Sequence, residues 1–255
     1  PVETAFSEEF NLANKTTTVQ PPYYFPDAPL PVAIVVRARA FADGMLPGNT
    51  ITHSYFLQKN ESHQYTLPVI SIAIQEDMLF DYNHGIYTPG VDADQWRLNN
   101  PNATYSWPFP GNYRRRGDEV EHPAHLELFD KVSGKRELAQ DVGLRIHGGA
   151  TRAFPMKSFR IYARNAYSHS HLYYPFFENR PHNAYRRLIL RNSGNDFPTS
   201  VDPWSEYETM FRDAMIQKIV RHMHMETQSY QPTVVFLNGE YWGILNIRER
   251  LDRHF

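Results

Sequence analysis

Hydrophobic residues along this chain fall mostly into short runs, either alternating with polar residues or continuous, and both patterns predict β-strands. The first runs, VAIVVRARAF and TITHSYFL, predict a strand, a loop and a closing strand between Val32 and Leu57. LPVISIAI predicts a buried strand at Leu67–Ile74. Two hairpins are predicted further along, one turning at VSG in HPAHLELFDKVSGKREL and one with Asn238-Gly239 as a type I′ turn.

One long helix interrupts this β pattern. Asp202 and Pro203 suit a helix N-cap and first turn, and the chain from Trp204 to about Met225 predicts a helix. Its apolar face would be formed by Phe211, Ala214, Met215, Ile219 and Met223. One main helix on a mainly antiparallel sheet predicts an α+β fold. A domain boundary near His63 divides the chain into residues 1–62 and 63–255.

The tract from Asp77 to Glu121 is irregular and rich in Asp, Asn, Pro, Gly and Trp. Loops of this length usually have a function or pack as a cover over another part of the protein. Within the tract, LFDYNHGIY loosely resembles a calcium loop but lacks the closing Glu, so a turn is predicted instead.

The composition excludes several kinds of site, and the uneven distribution of charge along the chain indicates what kind of ligand to expect. The chain has 255 residues, 41% of them hydrophobic, and no apolar run long enough to span a bilayer. The absence of cysteine excludes disulfides, zinc–thiolate sites and a cysteine nucleophile. The net charge is −2, yet the window 143–192 has nine basic residues and a single acid, Glu178, and so carries +8. We expect this surface to bind something anionic.

The basic window is built around GLRIHGGATRAFPMKSFRIYAR, residues 143–164. Strand-like runs flank Gly148 and Gly149, and alternation in the second run directs Lys157 to the apolar face. Two interpretations of the turn remain open. It is either a backbone cradle for phosphate, assisted by Arg152, or a plain hairpin turn that needs a positive φ.

Lys157 also has two interpretations. It either holds phosphate oxygens while paired with a carboxylate on the helix, or snorkels from the end of its strand. Glu208 is the first choice for that carboxylate, with Glu206 and Asp213 as alternatives. A buried lysine needs such an anionic partner, because burying an isolated charge is costly.

Other polar residues have weaker assignments. Arg145 is a further phosphate-binding candidate, whereas Arg160 and Arg164, on the other face of the strand, are expected to bind neighbouring acids. Oxygen ligands for Mg²⁺, or simple turn caps, are offered by Asn192, Asn195 and Asp196. The histidines are scattered, and the aromatic residues do not alternate with charge as a base-stacking platform would, so no nucleic-acid partner is predicted.

Several segments resemble the spore coat protein H (CotH) kinase family. In order over about residues 67–255, they are LPVISI, LFDYNHGIY, HPAHLELFD, GLRIHGGATRAFPMKSFRIYAR, LILRNSGND, MFRDA and VVFLNGEYWGILNIRERLD. The resemblance implies an atypical kinase-like fold, similar to the N-terminal lobe of a protein kinase. It also implies ATP bound with Mg²⁺ or Mn²⁺, phosphorylation of protein Ser or Thr, and a secreted or cell-surface location in bacteria.

Residues 32–56 resemble the last strands of a chitobiase-C-terminal-type, immunoglobulin-like module. In a kinase the catalytic base and the metal-binding Asp lie in the second lobe. No such residues are evident up to Phe255, so the chain by itself is expected to bind nucleotide without transferring phosphate. A different possibility is a non-catalytic surface protein that binds glycans on a kinase-like scaffold. Its stacking residues would be Trp96, Tyr105, Trp107 and Tyr113.

Overall fold

The computed structural model describes residues 6–7, 30–56, 65–103, 110–196 and 208–251. The strands in these ranges are β1 (Phe6–Ser7), β2 (Leu30–Pro31), β3 (Ala33–Ala38), β4 (Ile51–Phe56), β5 (Val69–Ile74), β6 (His122–Phe129), β7 (Arg136–His147), β8 (Ser158–Tyr162), β9 (Leu172–Tyr173), β10 (Ala184–Tyr185), β11 (Arg187–Arg191), β12 (Tyr230–Leu237) and β13 (Glu240–Glu249). The α-helices in these ranges are α1 (Glu76–Phe80), α2 (Gly90–Asn99) and α3 (Arg212–Val220). The predicted mainly antiparallel sheet is confirmed, since nearly all strand pairs are antiparallel and the helices are few.

Seven strands form a closed barrel, in the order β11–β13–β12–β5–β6–β7–β8. The barrel closes because β8 pairs with both β7 and β11. The pairing of β12 with β5 is parallel, and every other neighbour in the barrel is antiparallel. Closure leaves no free edge in this sheet, and it places β7, β8, β11 and β13 side by side in that order.

Strand β5 shows why LPVISIAI reads as a continuous apolar run. All six residues of the strand are buried. Ile70, Ile72 and Ile74 belong to the core inside the barrel, whereas Val69 packs with Phe236 in a second cluster on the outside. A strand covered on both faces needs hydrophobic residues at consecutive positions rather than at alternate ones.

The hairpin β3–β4 covers that outer face of the barrel. The N–H of Ala33 donates to the carbonyl of Gly239 at 2.7 Å, and the N–H of Ser54 donates to the buried carboxylate of Glu127 at 2.7 Å. The hydroxyls of Ser54 and Ser71 are 2.8 Å apart. The strand–loop–strand prediction is therefore confirmed. The immunoglobulin-like character and the boundary near residue 63 stay predictions.

Both predicted hairpin turns are present. Asn238 and Gly239 have φ of 53° and 88°, as a type I′ turn requires. A side chain at Gly239 would overlap the carbonyl oxygen of Ala33, so glycine is needed there for space as well as for conformation. In the VSG turn, the carboxylate of Asp130 accepts the N–H groups of Val132 and Ser133.

The helix prediction is wrong in extent and in burial. Helix α3 begins at Arg212, and residues 197–207, including Asp202 and Pro203, lie outside the described residues. Ala214 is its buried residue. The rest of the proposed apolar face is exposed, with 46% at Phe211, 45% at Met215, 59% at Ile219 and 57% at Met223. The expectation of one main helix is also wrong, because the unpredicted α2 is as long as α3.

The tract between β5 and β6 acts as a cover, as predicted, but it contains helices. The buried side chain of Asn112 accepts the N–H of Asp92 and donates to the carbonyl of Tyr82. Arg115 forms two hydrogen bonds with the carboxylate of Asp92, at 2.8 and 2.6 Å. These contacts fasten α2 to the 3₁₀ helix Asn112–Arg114. They hold the tract over one end of the barrel.

The prediction that LFDYNHGIY forms a turn is confirmed. The carboxylate of Asp81 accepts the N–H groups of Asn83 and His84. No helix in the described ranges is long and apolar enough to cross a membrane.

Candidate functional site

The glycine turn follows directly after β7. Gly148 has a φ of 118°, and a Cβ at this position would lie 2.6 Å from the hydroxyl of Thr151. Gly149 has a φ of −102° and a ψ of −109°, a combination that other residues rarely adopt, and nothing lies within 4 Å of the position its Cβ would take. Gly148 therefore makes the turn possible, and the space above Gly149 leaves its backbone open to an approaching group.

Arg152 ties this turn to the cover. Its Nε donates to the carbonyl of Gly148 at 2.8 Å, and its Nη1 donates to the carbonyls of Tyr113 and Arg115 at 3.1 and 2.9 Å. Burial lowers the pKa of the Arg152 guanidinium to about 10, and the fields of nearby arginines, Arg116 first among them, act in the same direction. Arg152 is thus a clamp within the protein more than a side chain that projects into solvent.

Lys157 points into the barrel, as predicted, and is 0% exposed. Its Nζ donates to the carbonyl of Phe154 at 2.7 Å. It also lies 5.0 Å from the ring centroid of Tyr87 and 4.3 Å from that of Tyr113. Burial lowers the pKa of Lys157 well below its ordinary value. The cover thus encloses a lysine whose charged form is disfavoured by burial.

The predicted ion pair of Lys157 with a helix carboxylate is not formed by the described residues, where the lysine bonds a carbonyl instead. Glu208 precedes α3 and is not on a helix. Asp213 binds Arg248 at 2.7 Å and Arg191 at 3.4 Å, on the outer face of the barrel. Glu206 lies outside the described residues. Alternation predicts which face a residue is on, but it does not predict which residues the opposite side of a closed barrel brings to that face.

Arg145 is engaged by acids on the outer face. Its Nε donates to Glu121 at 2.7 Å, its Nη1 donates to the carbonyl of Gly117, and its Nη2 pairs with Asp118. Arg164 binds the same Glu121 through two hydrogen bonds, at 2.7 and 2.9 Å. The prediction that Arg164 binds a neighbouring acid is therefore confirmed. Arg145 acts in the same way.

Glu121 is the centre of this acidic contact. Its side chain is 5% exposed and also accepts the hydroxyl of Tyr167 at 3.0 Å. Burial alone would raise the pKa of Glu121, but the hydrogen bonds from Arg164, Arg145 and Tyr167 outweigh it, and the pKa is lowered.

A second group of cations faces outward beside the glycine turn, around His147. The Nε of Arg160 donates to His147 Nδ1 at 3.1 Å. Arg160 and Arg250 both donate to the hydroxyl of Tyr162, at 3.4 and 3.3 Å. Arg160 has no acidic partner among the described residues, so the expectation that it binds an acid is wrong for this part of the chain.

The positive field of these cations affects the pKa of His147. Burial, followed by the fields of four arginines, lowers the pKa of His147 to about 3; the arginines are Arg160, Arg191, Arg152 and Arg250. The imidazole is therefore neutral at physiological pH and stands in a strongly positive environment. We call these outward groups, His147, Arg160, Arg191 and Arg250, the outer cluster.

Spacing along the chain did not predict that the four residues of the outer cluster lie together. Its members lie on four strands, β7, β8, β11 and the end of β13, which the barrel brings side by side. The one available sign was alternation, which directs Arg160 away from the apolar face.

The RNSGND segment is structural in the described residues. The amide of Asn192 bonds Ser158 and the carbonyl of Met156. The carboxylate of Asp196 accepts the N–H groups of Thr209 and Arg212, and so caps the start of α3. Of the two interpretations of this segment, the cap is the one observed. No group of three or more His, Cys, Asp or Glu residues suited to a metal occurs in the described residues.

The four aromatic residues proposed to stack on glycans lie in different surroundings, and two of them are outside the described residues. Tyr113 is 1% exposed and belongs to the cover over Lys157, so its ring is not available to a sugar. Trp96 is half-buried on α2. Tyr105 and Trp107 lie outside the described residues.

The matched part of the chain contains both groups of cations. Residues 144–255 match the family model described as CotH kinase protein. This range includes the glycine turn, Lys157, the outer cluster, α3 and the last hairpin. The resemblance predicted from the sequence is thus confirmed for this part of the chain. No curated protein matches the chain.

Proposed function

We propose that this chain carries the nucleotide-phosphate-binding part of a CotH-type protein kinase, which uses ATP with Mg²⁺ or Mn²⁺ to phosphorylate Ser or Thr in proteins. The observation that carries the proposal is the outer cluster beside the glycine turn. Arg160 donates to His147 and Tyr162 and has no acid partner among the described residues, and burial together with four nearby arginines lowers the pKa of His147 to about 3. Guanidinium groups and free backbone amides are the donors that phosphate oxygens prefer.

The residues at the turn fit a chain of phosphates. Gly149 leaves open space beside its backbone, and Arg160 can exchange its hydrogen bonds with neutral groups, His147 and Tyr162, for bonds to an anion. Arg152 keeps the turn in position through its three carbonyl partners. ATP would supply a γ-phosphoryl group for transfer to a hydroxyl.

Lys157 has a different part in this proposal. It can reach a phosphate only after Tyr113 moves away, since the cover leaves it 0% exposed. We therefore treat Lys157 as a second, conditional phosphate ligand. The described residues include no cluster of three or more metal-ligand side chains, so the divalent ion has no assigned step in this proposal.

Chain order supports the comparison with the N-terminal lobe of a kinase. A glycine turn, an inward lysine, a strand, a helix and a hairpin follow one another from β7 to β13. Here the strands among these elements belong to a closed barrel. A secreted or cell-surface location is part of the same proposal and follows from the family resemblance.

The test is nucleotide binding followed by transfer. Titration calorimetry of the chain with ATP and Mg²⁺ or Mn²⁺ should show saturable binding. Incubation with γ-labelled ATP and a mixture of candidate acceptor proteins should then place label on Ser or Thr if the chain is catalytically complete. Absence of binding at millimolar ATP with either metal would refute the proposal, whereas binding without transfer would limit it to the nucleotide-binding part.

A further inference from the structure

A second basic feature lies further along the outer face of β8, away from the glycine turn. It is a cavity of about 270 Å³. Its polar lining comes from Arg164, Arg186, Arg187, Tyr162, Asn165 and Ser170. We call it the arginine pocket. Arg164 follows Arg160 by four positions, which corresponds to about 13 Å along an extended chain. The arginine pocket and the outer cluster are therefore neighbouring but separate places.

Tyr162 organises this pocket. It is 4% exposed, and three guanidinium groups stack around its ring. The guanidinium carbons of Arg145, Arg164 and Arg187 lie 4.7, 5.0 and 5.6 Å from the ring centroid. Such contacts fix the planes of the arginines before any ligand arrives. Preorganised cations lose less conformational entropy when they bind an anion.

The remaining lining residues are also held in place. Both carboxylate oxygens of Glu121 fix Arg164, and Arg186 donates from Nε to His171 Nε2 at 3.2 Å. The hydroxyl of Ser170 lies 2.9 Å from the other ring nitrogen of His171. Arg186 itself is exposed and can therefore be reached by a ligand from solvent.

The positive charge of the arginine pocket favours an anionic ligand. Three arginines line it, and among the described residues its lining includes no acidic side chain. Glu121, the nearest acid bound to a lining residue, is shared between Arg145 and Arg164. A phosphate monoester carries close to two negative charges and three acceptor oxygens. Clusters of arginine recognise such groups on phosphorylated side chains.

We infer that the arginine pocket binds a phosphate monoester, in the form of a phosphoserine or phosphothreonine side chain of a protein. This inference does not depend on nucleotide binding, because the arginines that line the pocket are not those of the outer cluster; the two places meet only at the hydroxyl of Tyr162. If the chain is also a kinase, such a pocket would favour protein partners that are already phosphorylated.

The test uses three fluorescein-labelled heptapeptides, identical except for phosphoserine, serine or glutamate at the central position, titrated onto the full chain without nucleotide. Phosphoserine should bind at least about tenfold more tightly than serine or glutamate. Inorganic phosphate should compete, because the phosphoryl group is what the pocket recognises. Equal binding of the phosphoserine and serine peptides would overturn the inference. Binding of inorganic phosphate alone would overturn the assignment to a protein side chain.

Three variants test whether the phosphoserine peptide binds at the arginine pocket. Arg186→Ala should weaken the phosphoserine peptide about tenfold or more, and it should fold normally because Arg186 is exposed. Arg37→Ala, an exposed arginine on β3, is the matched control and should have no effect. Arg160→Ala should weaken this affinity much less than Arg186→Ala, because Arg160 reaches the pocket only through the hydroxyl of Tyr162. Loss of binding in Arg160→Ala but not in Arg186→Ala would assign the phosphate to the outer cluster and refute the pocket.

Discussion

The ring of Tyr113 lies over the ammonium group of Lys157, with 4.3 Å between Nζ and the ring centroid. Tyr113 belongs to the cover, and Lys157 stands just before β8. A contact between segments 44 residues apart thus decides whether the lysine meets solvent. The carbonyl bonds of Arg152 to Tyr113 and Arg115 hold the cover in this closed position.

Removal of the Tyr113 ring should expose Lys157. Acetylation of Lys157, followed by mass spectrometry, should be at least about tenfold slower than that of exposed Lys135 in the unmodified protein, because the lysine must wait for local opening. Tyr113→Ala should reduce this difference, and Tyr113→Phe should preserve it. Unchanged fluorescence of buried Trp242 would show that the barrel remains folded. Equal protection in Tyr113→Ala would contradict the role of the cover.

Because of Lys157, the free energy of unfolding should increase as the pH rises. Its pKa is lower in the folded than in the unfolded chain, so between the two values the unfolded chain binds more protons. The free energy of unfolding should therefore rise with pH, by up to about 1.4 kcal/mol per pH unit, until the ordinary lysine pKa is reached.

Lys157→Met is the matched variant, because it retains the unbranched side chain without the amine. Urea unfolding of both proteins from pH 6 to pH 10 measures the difference. The variant should lack the rise, and the gap between the two should narrow as the pH increases. Parallel pH profiles would show that Lys157 is charged in the folded protein.

Local rules predicted the features that depend on neighbouring residues. Asn238-Gly239 requires only a two-residue turn with positive φ, and Lys157 faces inward because strand alternation has a period of two. The end of α3 and its burial depend on what packs against it. Met215 and Ile219 have helical spacing, yet they are exposed.

The candidate site was the harder part to predict. Arg145 was a phosphate candidate by charge, but Glu121, outside the basic window, binds it. Arg160 and Arg250 meet at Tyr162 only because the barrel is closed. Such cross-strand neighbours depend on long-range pairing, which spacing along the chain does not encode.

The two glycines of the turn should respond differently to substitution. Gly148→Ala should destabilise the protein by about 1–3 kcal/mol, because alanine rarely adopts a φ of 118° and its Cβ would crowd the hydroxyl of Thr151. Gly149→Ala should cost less, about 1 kcal/mol, because its surroundings are open but its ψ of −109° lies outside the regions that alanine favours. Urea denaturation measures both. A similar loss in both variants would mean that the turn has another conformation.

Glu121 should make the protein sensitive to acid. Its folded pKa is lowered, so its stabilisation is present above the unfolded value near 4.5 and is lost as the pH falls through the folded value. Glu121→Gln should cost about 3 kcal/mol at pH 7, because Arg164 loses its acid partner. Exposed Glu119→Gln should stay within about 0.5 kcal/mol of the unmodified protein. Unfolding midpoints at pH 7 and pH 3 test this, and an unchanged acid response in Glu121→Gln would contradict it.

The central claim, that nucleotide phosphates bind the outer cluster at the glycine turn, is tested most directly by titration of ATP and Mg²⁺ into Arg160→Ala. Arg160 is the cleanest member to remove, since its partners His147 and Tyr162 are neutral and no carboxylate is left without its cation. The account predicts that Arg160→Ala weakens ATP binding about tenfold or more, whereas Arg37→Ala binds like the unmodified protein. Equal ATP affinity in Arg160→Ala and Arg37→Ala would contradict it.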